Sequence, residues 1–405
     1  MFVGGATIMA AFADGALPSS YLVRPLIACA FVAMTIGILA QLAGRHGSVT
    51  AAFLAGAIAI PGWWVLLAVS VGALVWHVQR IRRRPVPASE RPTLMLTAIF
   101  CLVSVAPAIP LLDIRAPAVR GASAGDPPIY LVLLDGYPRI DTLEHLGIDN
   151  RPFVQELENR GFDHYPQATS AHGWTELTLT SLLTNRDEPD EVGSIEAKRA
   201  LRARLALPAN FVAIAPPVGH VEIPGARRID RSGMNDFEAY LLGRSLLAHA
   251  SAGIVADGLR AEIAEGLFVL ASTEETRVFA HILSPHPPFL YTEESESLPR
   301  CWPRCQVFDN AMESLDVTRE QWSAGMQDTL EFLNVGLLDA VDDILDRHDD
   351  AVIVLFSDHG ARYSYDDPEE WHRSFLIART PGHPGLLANQ PKADAILRIV
   401  IDAYE

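Results

Sequence analysis

Two short apolar runs constrain this chain more than any other feature: "IYLVLLD" at 129–135 and "VIVLFSDHG" at 352–360. Both are rich in Val, Ile and Leu and are apolar at every position, which describes a central strand of a parallel sheet covered on both faces. Each stops abruptly at polar residues. In open α/β sheets, ligands bind outside the carboxyl ends of the strands. Asp135, Asp358 and the adjacent His359 are therefore candidate site residues.

Between these runs the pattern alternates. "RPFVQELENRG" (151–161) predicts a helix stopped by glycine, "NFVAIAP" (210–216) and "RVFAHIL" (277–283) predict strands, and residues 236–270 predict a helix. Residues 322–347 carry Leu330, Leu333, Leu337, Val341, Ile344 and Leu345 at three- and four-residue intervals, the apolar stripe of a long amphipathic helix. "SFLIAR" (374–379) and a closing helix from about 390 complete an alternating α/β domain with a mainly parallel sheet.

The first 113 residues are of another kind. Residues 23–43 have no charge after Arg24, and at about 20 residues are long enough to cross a bilayer as a helix. Residues 49–78 are apolar but interrupted by Pro61 and Gly62, and are read as one kinked span; residues 93–112 make a third. Arg80, Arg82, Arg83, Arg84 and Arg91 lie between the second and third spans and belong on the cytoplasmic side, which places the chain after residue 113 outside the cytoplasmic membrane. A cleaved signal peptide at 23–43 is the competing reading, but it lacks a charged amino region and two further spans follow. The expected organisation is a membrane domain at 1–113, a linker at 114–128 rich in Ala, Pro and Gly, and an extracytoplasmic domain at 129–405.

The net charge of −17 falls after the spans, and an acidic surface argues against nucleic acid as a partner. No protein partner is implied. Cys301 and Cys305 lie in the exported part, where a bridge pinning "CWPRC" is expected and a free pair is the alternative.

Two carboxylates and an imidazole at strand ends suit a divalent ion such as Mn²⁺, Zn²⁺ or Mg²⁺. Singly, each aspartate could equally cap a helix or form a turn. The segment "YPQATSAHGWTELTLTSLLTN" (165–185) is rich in hydroxyls, and "TELTLTSLLT" reads as a helix beginning at Thr175. A hydroxyl at a helix amino terminus meets unpaired N–H groups and the positive dipole end, a site for a phosphate or sulfate ester, and a metal would activate it as a nucleophile. The alternative is that Thr175 only caps its helix; Thr169 and Ser170 are reserve candidates. His281 and His286 flank a proline-rich turn after a strand, so at least one should face the crevice, although His281 could equally be a bonded core residue. His172, three residues before Thr175, could serve the leaving oxygen or merely solvate a loop.

In their order, "YLVLLDGYPRID", "WTELTLTSLLTN", "AHILSPHPPFLY", "LEFLNVGLLDAVDDIL" and "VIVLFSDHG" resemble the alkaline phosphatase superfamily over about 250 residues. The similarity is to its sulfatase-like branch of lipoteichoic acid synthases and phosphoethanolamine transferases. The resemblance implies an α/β/α sandwich with Asp135, Thr175, Asp358 and His359 as metal ligands, Thr175 also being the nucleophile that carries a covalent phospho-intermediate. It also implies substrate contacts from His286 and His281. The chain departs from two-metal phosphatases in having no Asp-x-x-x-His element between Thr175 and Asp358; "DTLEH" (141–145) has the spacing but precedes the nucleophile. One ion is expected rather than two, with His372 and His383 left as possible ligands of a second. "CWPRC" is not the Cys-x-Pro-x-Arg of formylglycine sulfatases, because its Arg304 comes one residue early. The expected function is a membrane-anchored, metal-dependent phosphotransferase or hydrolase acting on phosphate or sulfate esters of envelope lipids or glycans. A sulfatase-like phosphodiesterase or sulfuric ester hydrolase, and an inactive envelope binding module, are the rivals.

Overall fold

The computed structural model describes residues 127–184, 207–208, 211–215, 223, 227–228, 252–290, 312–315 and 317–404. They belong to one of two compact units, Ala116–Met234 with Ala252–Glu405. The three predicted spans, nearly all of the linker, the first part of the helix predicted at 236–270, and Cys301 and Cys305 lie outside the described residues. Among the described residues no helix is long and apolar enough to cross a membrane.

The elements follow in the order β1 (Ile129–Leu134), α1 (Ile140–His145), α2 (Arg151–Asn159), β2 (Asp163–His164), α3 (Thr175–Thr184), β3 (Val212–Ala215), β4 (Arg227–Arg228) and α4 (Ala252–Ser272). Then come β5 (Arg277–Ile282), α5 (Met312–Leu315), α6 (Arg319–Arg347), β6 (Val352–Phe356), β7 (Leu376–Arg379) and α7 (Ile396–Tyr404). The sheet order is β2-β7-β6-β1-β5-β3-β4. Only β7 runs against the other described strands, pairing antiparallel with β6 and β2. The two runs that end in aspartate are thus neighbours at the centre of a mixed, mainly parallel sheet.

Strand alternation builds the two faces. Tyr130, Val132, Leu134, Ala280, Ile353 and Leu355 join one core with Leu333, Leu337, Val341 and Ile344 of α6. Ile129, Leu131, Leu133, Phe279, Val354 and Phe356 join the other, with Leu179 and Leu182 of α3 and Ile396, Leu397 and Val400 of α7. Helices cover both faces, giving an α/β/α sandwich. The long helix α6 begins three residues before the predicted start at 322 because Thr318 caps it. The Thr318 hydroxyl accepts the Gln321 N–H (3.3 Å), and the Gln321 side chain returns a bond to the Thr318 N–H (3.0 Å).

Candidate active site

The same alternation aims the candidate residues. Asp135 continues β1 in the phase of Ile129, Leu131 and Leu133, its N–H still bonded to the Ile282 carbonyl (3.0 Å), so its side chain falls on the face covered by α3. His281 in β5 and Asp358 after β6 share that phase. Three adjacent strands therefore deliver Asp135, His281 and Asp358 to the start of one helix. Thr175 is the first residue of that helix, and Trp174 ahead of it accepts the N–H groups of Leu177 (3.2 Å) and Thr178 (3.1 Å). Thr175 is thus inside the helix, and its hydroxyl points to His359.

His359 Nδ1 donates to the Gly360 carbonyl (2.6 Å), which leaves Nε2 as the lone-pair nitrogen. That nitrogen faces Thr175 Oγ1 at 3.3 Å, Asp358 Oδ2 at 3.4 Å and Asp135 Oδ1 at 3.5 Å. Asp135 Oδ1 and Asp358 Oδ2 are buried and accept no hydrogen bond. The other carboxylate oxygens are held: Asp135 Oδ2 by His281 Nε2 (3.0 Å) and Asp358 Oδ1 by the Gly136 N–H (3.0 Å). Gly136 has φ +66°, a conformation that aims its N–H at Asp358 and that side-chain-bearing residues disfavour. Carboxylate oxygens buried beside the His359 nitrogen with no donor are costly unless a cation lies near them. Hard oxygens and one imidazole are the donor set of a divalent ion, so the residues present fit a metal.

The electrostatics agree. Burial and the neighbouring Asp135 charge push the Asp358 carboxyl up. At Asp135 the effect of burial is outweighed by His286 and by the hydrogen bond from His281, which hold it well below the usual carboxylate range. Burial pushes the His286 imidazole down to about 4, against the pull of Asp135 and with Arg362 and His359 adding to the depression. Asp135, His286 and His359 also bring ligand atoms within 4.8 Å of one another, and no other group of three acids, histidines or cysteines does so among the described residues. His286, however, has both nitrogens engaged: Nδ1 donates to the Pro287 carbonyl (2.5 Å) and Nε2 accepts from Arg362 Nη2 (3.2 Å).

A clamp supports the loop after β6. Glu370 accepts the N–H groups of Ala361 (2.8 Å) and Arg362 (2.9 Å), and the Gly360 N–H bonds to the Trp371 carbonyl (2.8 Å). Any Cβ on Gly360 would lie 2.0 Å from the Glu370 carbonyl oxygen, so only glycine fits there. Burial pushes the Glu370 carboxyl up to about 7, against its two backbone hydrogen bonds.

Other candidates lie elsewhere. His172 is buried and bonds through Nε2 to Ser181 Oγ (3.0 Å) on α3. Ser170 bonds to Thr178 (3.0 Å), whose hydroxyl also donates to the Asp358 carbonyl (3.0 Å); Thr169 pairs by backbone with Lys392. The hydroxyls of Thr180 and Thr184 return to carbonyls of their own helix. His372 Nδ1 donates to the Ser170 carbonyl (3.1 Å), and the His383 ring lies 5.0 Å from that of Tyr404. "DTLEH" is α1, and its Asp141 pairs with Arg139 (2.6 Å).

Arg362 and Glu370 were not expected from the sequence. Arg362 had a signal, since it closes the run "SDHGAR"; Glu370 had none, being one of four acids in "DDPEE".

No protein-family model and no curated protein sequence matches the chain. Solved structures similar to it include the C-terminal periplasmic domain of EcEptC from Escherichia coli in complex with Zn, 12% identical over 71% of this chain and 86% of that chain, with a TM-score of 0.40. The integral membrane lipooligosaccharide phosphoethanolamine transferase A from Neisseria meningitidis is 17% identical over 97% of this chain and 86% of its own, with a TM-score of 0.40. A phosphonate monoester hydrolase from Agrobacterium radiobacter is 14% identical over 69% and 73%, with a TM-score of 0.42. These neighbours are of the alkaline phosphatase superfamily, in its sulfatase-like branch.

Proposed function

We propose that this protein is a metal-dependent enzyme that transfers or hydrolyses phosphate-ester groups through a covalent intermediate on Thr175. The observation that carries the reading is the pair of buried carboxylate oxygens, Asp135 Oδ1 and Asp358 Oδ2, which accept no hydrogen bond and lie 3.5 and 3.4 Å from the same His359 nitrogen that faces the Thr175 hydroxyl. Asp135, Asp358, His359 and Thr175 would hold one divalent ion, and His281 would fix Asp135 from behind. When bound, such an ion lowers the pKa of a coordinated hydroxyl and neutralises charge on a phosphoryl group.

Thr175 Oγ1 forms the new bond to phosphorus while the bond to the leaving alcohol breaks, and the hydroxyl proton ends on the departing oxygen. The Asp358 carbonyl and Ser170 hold Thr178, one turn later, which fixes the start of α3 and with it the direction of attack. The phosphothreonine then passes its group to an alcohol or to water. The apolar stretches at 23–43, 49–78 and 93–112 support a multi-pass anchor in the cytoplasmic membrane with this site on the extracytoplasmic side, and hence envelope lipids or glycans as substrates.

The test is metal analysis of the purified full chain, wild type and Thr175→Ala, with intact-mass detection of an adduct after incubation with mixed phospholipids. One ion per chain in wild type and an adduct confined to wild type are expected, and the added mass identifies the donor. A chain that takes up no metal and forms no adduct would be a binding module. Metal uptake with product but no adduct would favour a hydrolase that does not use Thr175.

A further inference from the structure

Transfer of a phosphate-ester group needs N–H donors or positive charge on the phosphoryl oxygens as well as a nucleophile. His286 is poorly placed to supply either. The Pro287 carbonyl can only accept, so the ring carries its proton on Nδ1; a guanidinium can only donate, so Nε2 accepts from Arg362. In that tautomer the imidazole has no N–H directed at a substrate oxygen.

Arg362 has the missing chemistry. It is buried, with 6% of its surface exposed, and its guanidinium carbon lies 4.7 Å from the centroid of the Trp174 ring. Trp174 directly precedes Thr175, and His286, which Arg362 touches, has its ligand nitrogen within 4.8 Å of those atoms of Asp135 and His359. The planar cation is therefore held between the residue before the nucleophile and a residue of the acid–histidine cluster. Its backbone is equally fixed. Arg362 is the only non-glycine residue with positive φ among the described residues (φ +51°), and both backbone N–H groups at the turn, its own and that of Ala361, end on the Glu370 carboxylate. Such a conformation is disfavoured and persists where surrounding contacts impose it. Here they impose the position of a guanidinium.

We infer that Arg362 is a substrate-binding residue, placing its guanidinium fork on the non-bridging oxygens of the tetrahedral ester that Thr175 attacks, with Trp174 and His286 as its supports. The inference rests on the proposed phosphotransfer at Thr175 and adds the group that recognises the anion. Arg is suited to this work because its rigid fork matches two oxygens of one phosphoryl group, which the point charge of lysine does not.

The experiment compares the Mn²⁺-loaded full chain as wild type, Arg362→Lys and Arg362→Gln. Metal content, calorimetric binding of inorganic phosphate and hydrolysis of bis(p-nitrophenyl) phosphate are measured on each. All three proteins should hold the same amount of metal. Phosphate binding should weaken about tenfold or more in Arg362→Gln, with KM raised by a similar factor and kcat lowered less, and Arg362→Lys should recover part of the loss. Phosphate affinity and KM unchanged in a metal-loaded Arg362→Gln would overturn the inference while leaving the function reading intact. Loss of metal in both variants would also overturn it, since Arg362 would then be a support of the cation site. Wild type that holds no metal and binds no phosphate would end both readings together.

Discussion

At the scale of single residues, the site works by denying partners to some atoms while over-supplying others. Asp135 and Asp358 each have one oxygen fixed by a donor and one turned bare into the cluster. Asp358→Asn should therefore abolish metal uptake while leaving the fold largely intact, because the amide oxygen can keep the Gly136 bond; metal analysis with circular dichroism checks this. Gly360→Ala should behave differently, since its methyl would overlap backbone rather than a movable side chain. A loss of more than about 3 kcal/mol is expected, read as a collapse of the denaturation midpoint. Glu370 gives a pH signature. Its carboxyl is raised from 4.5 to about 7 by burial, so the stability it contributes is fully present below pH 4.5 and is lost as pH rises through about 7, a change on the order of 3 kcal/mol. In metal-saturated protein, Glu370→Gln should flatten the fall of the denaturation midpoint across that window. An unchanged slope would assign the effect to another group.

At the scale of elements, what could be foreseen followed burial. β1 and β6 declared themselves because a strand covered on both faces has to be apolar throughout, and α6 because one face of a long helix needs a stripe. Asp135 and Asp358 stood out because each ends an apolar run, and Thr175 because it opens a hydroxyl-rich helix; strand alternation then decides which face each aspartate takes. The reversed direction of β7 could not be foreseen, because a strand of four residues reads the same either way. The Glu370 clamp was equally invisible, since which acid turns inward depends on a loop whose path no local pattern encodes. The start of α6 lies three residues ahead of the predicted 322, fixed by the reciprocal cap that Thr318 and Gln321 form. Thr318→Ala should lower stability by about 1 kcal/mol, seen in the denaturation midpoint, with metal content and turnover unchanged.

At the scale of the whole molecule, the cation and the fold should stabilise each other. Any ligand that binds only the folded chain raises stability with its concentration, by about 2.7 kcal/mol at a hundred times its Kd. Thermal unfolding of the chain should shift upward with added Mn²⁺ or Zn²⁺ and downward with chelator, and Asp135→Asn should show neither shift. The arrangement behind this coupling also sets a timetable for the molecule's birth. A ribosome that has delivered everything up to the end of α6 has made Asp135, Thr175 and His281 but not Asp358 or His359. The cluster exists only once β6 has paired with β1; β7, which flanks β6 on its other side, is made later still. A cation held at this cluster would therefore report chains synthesised at least through His359.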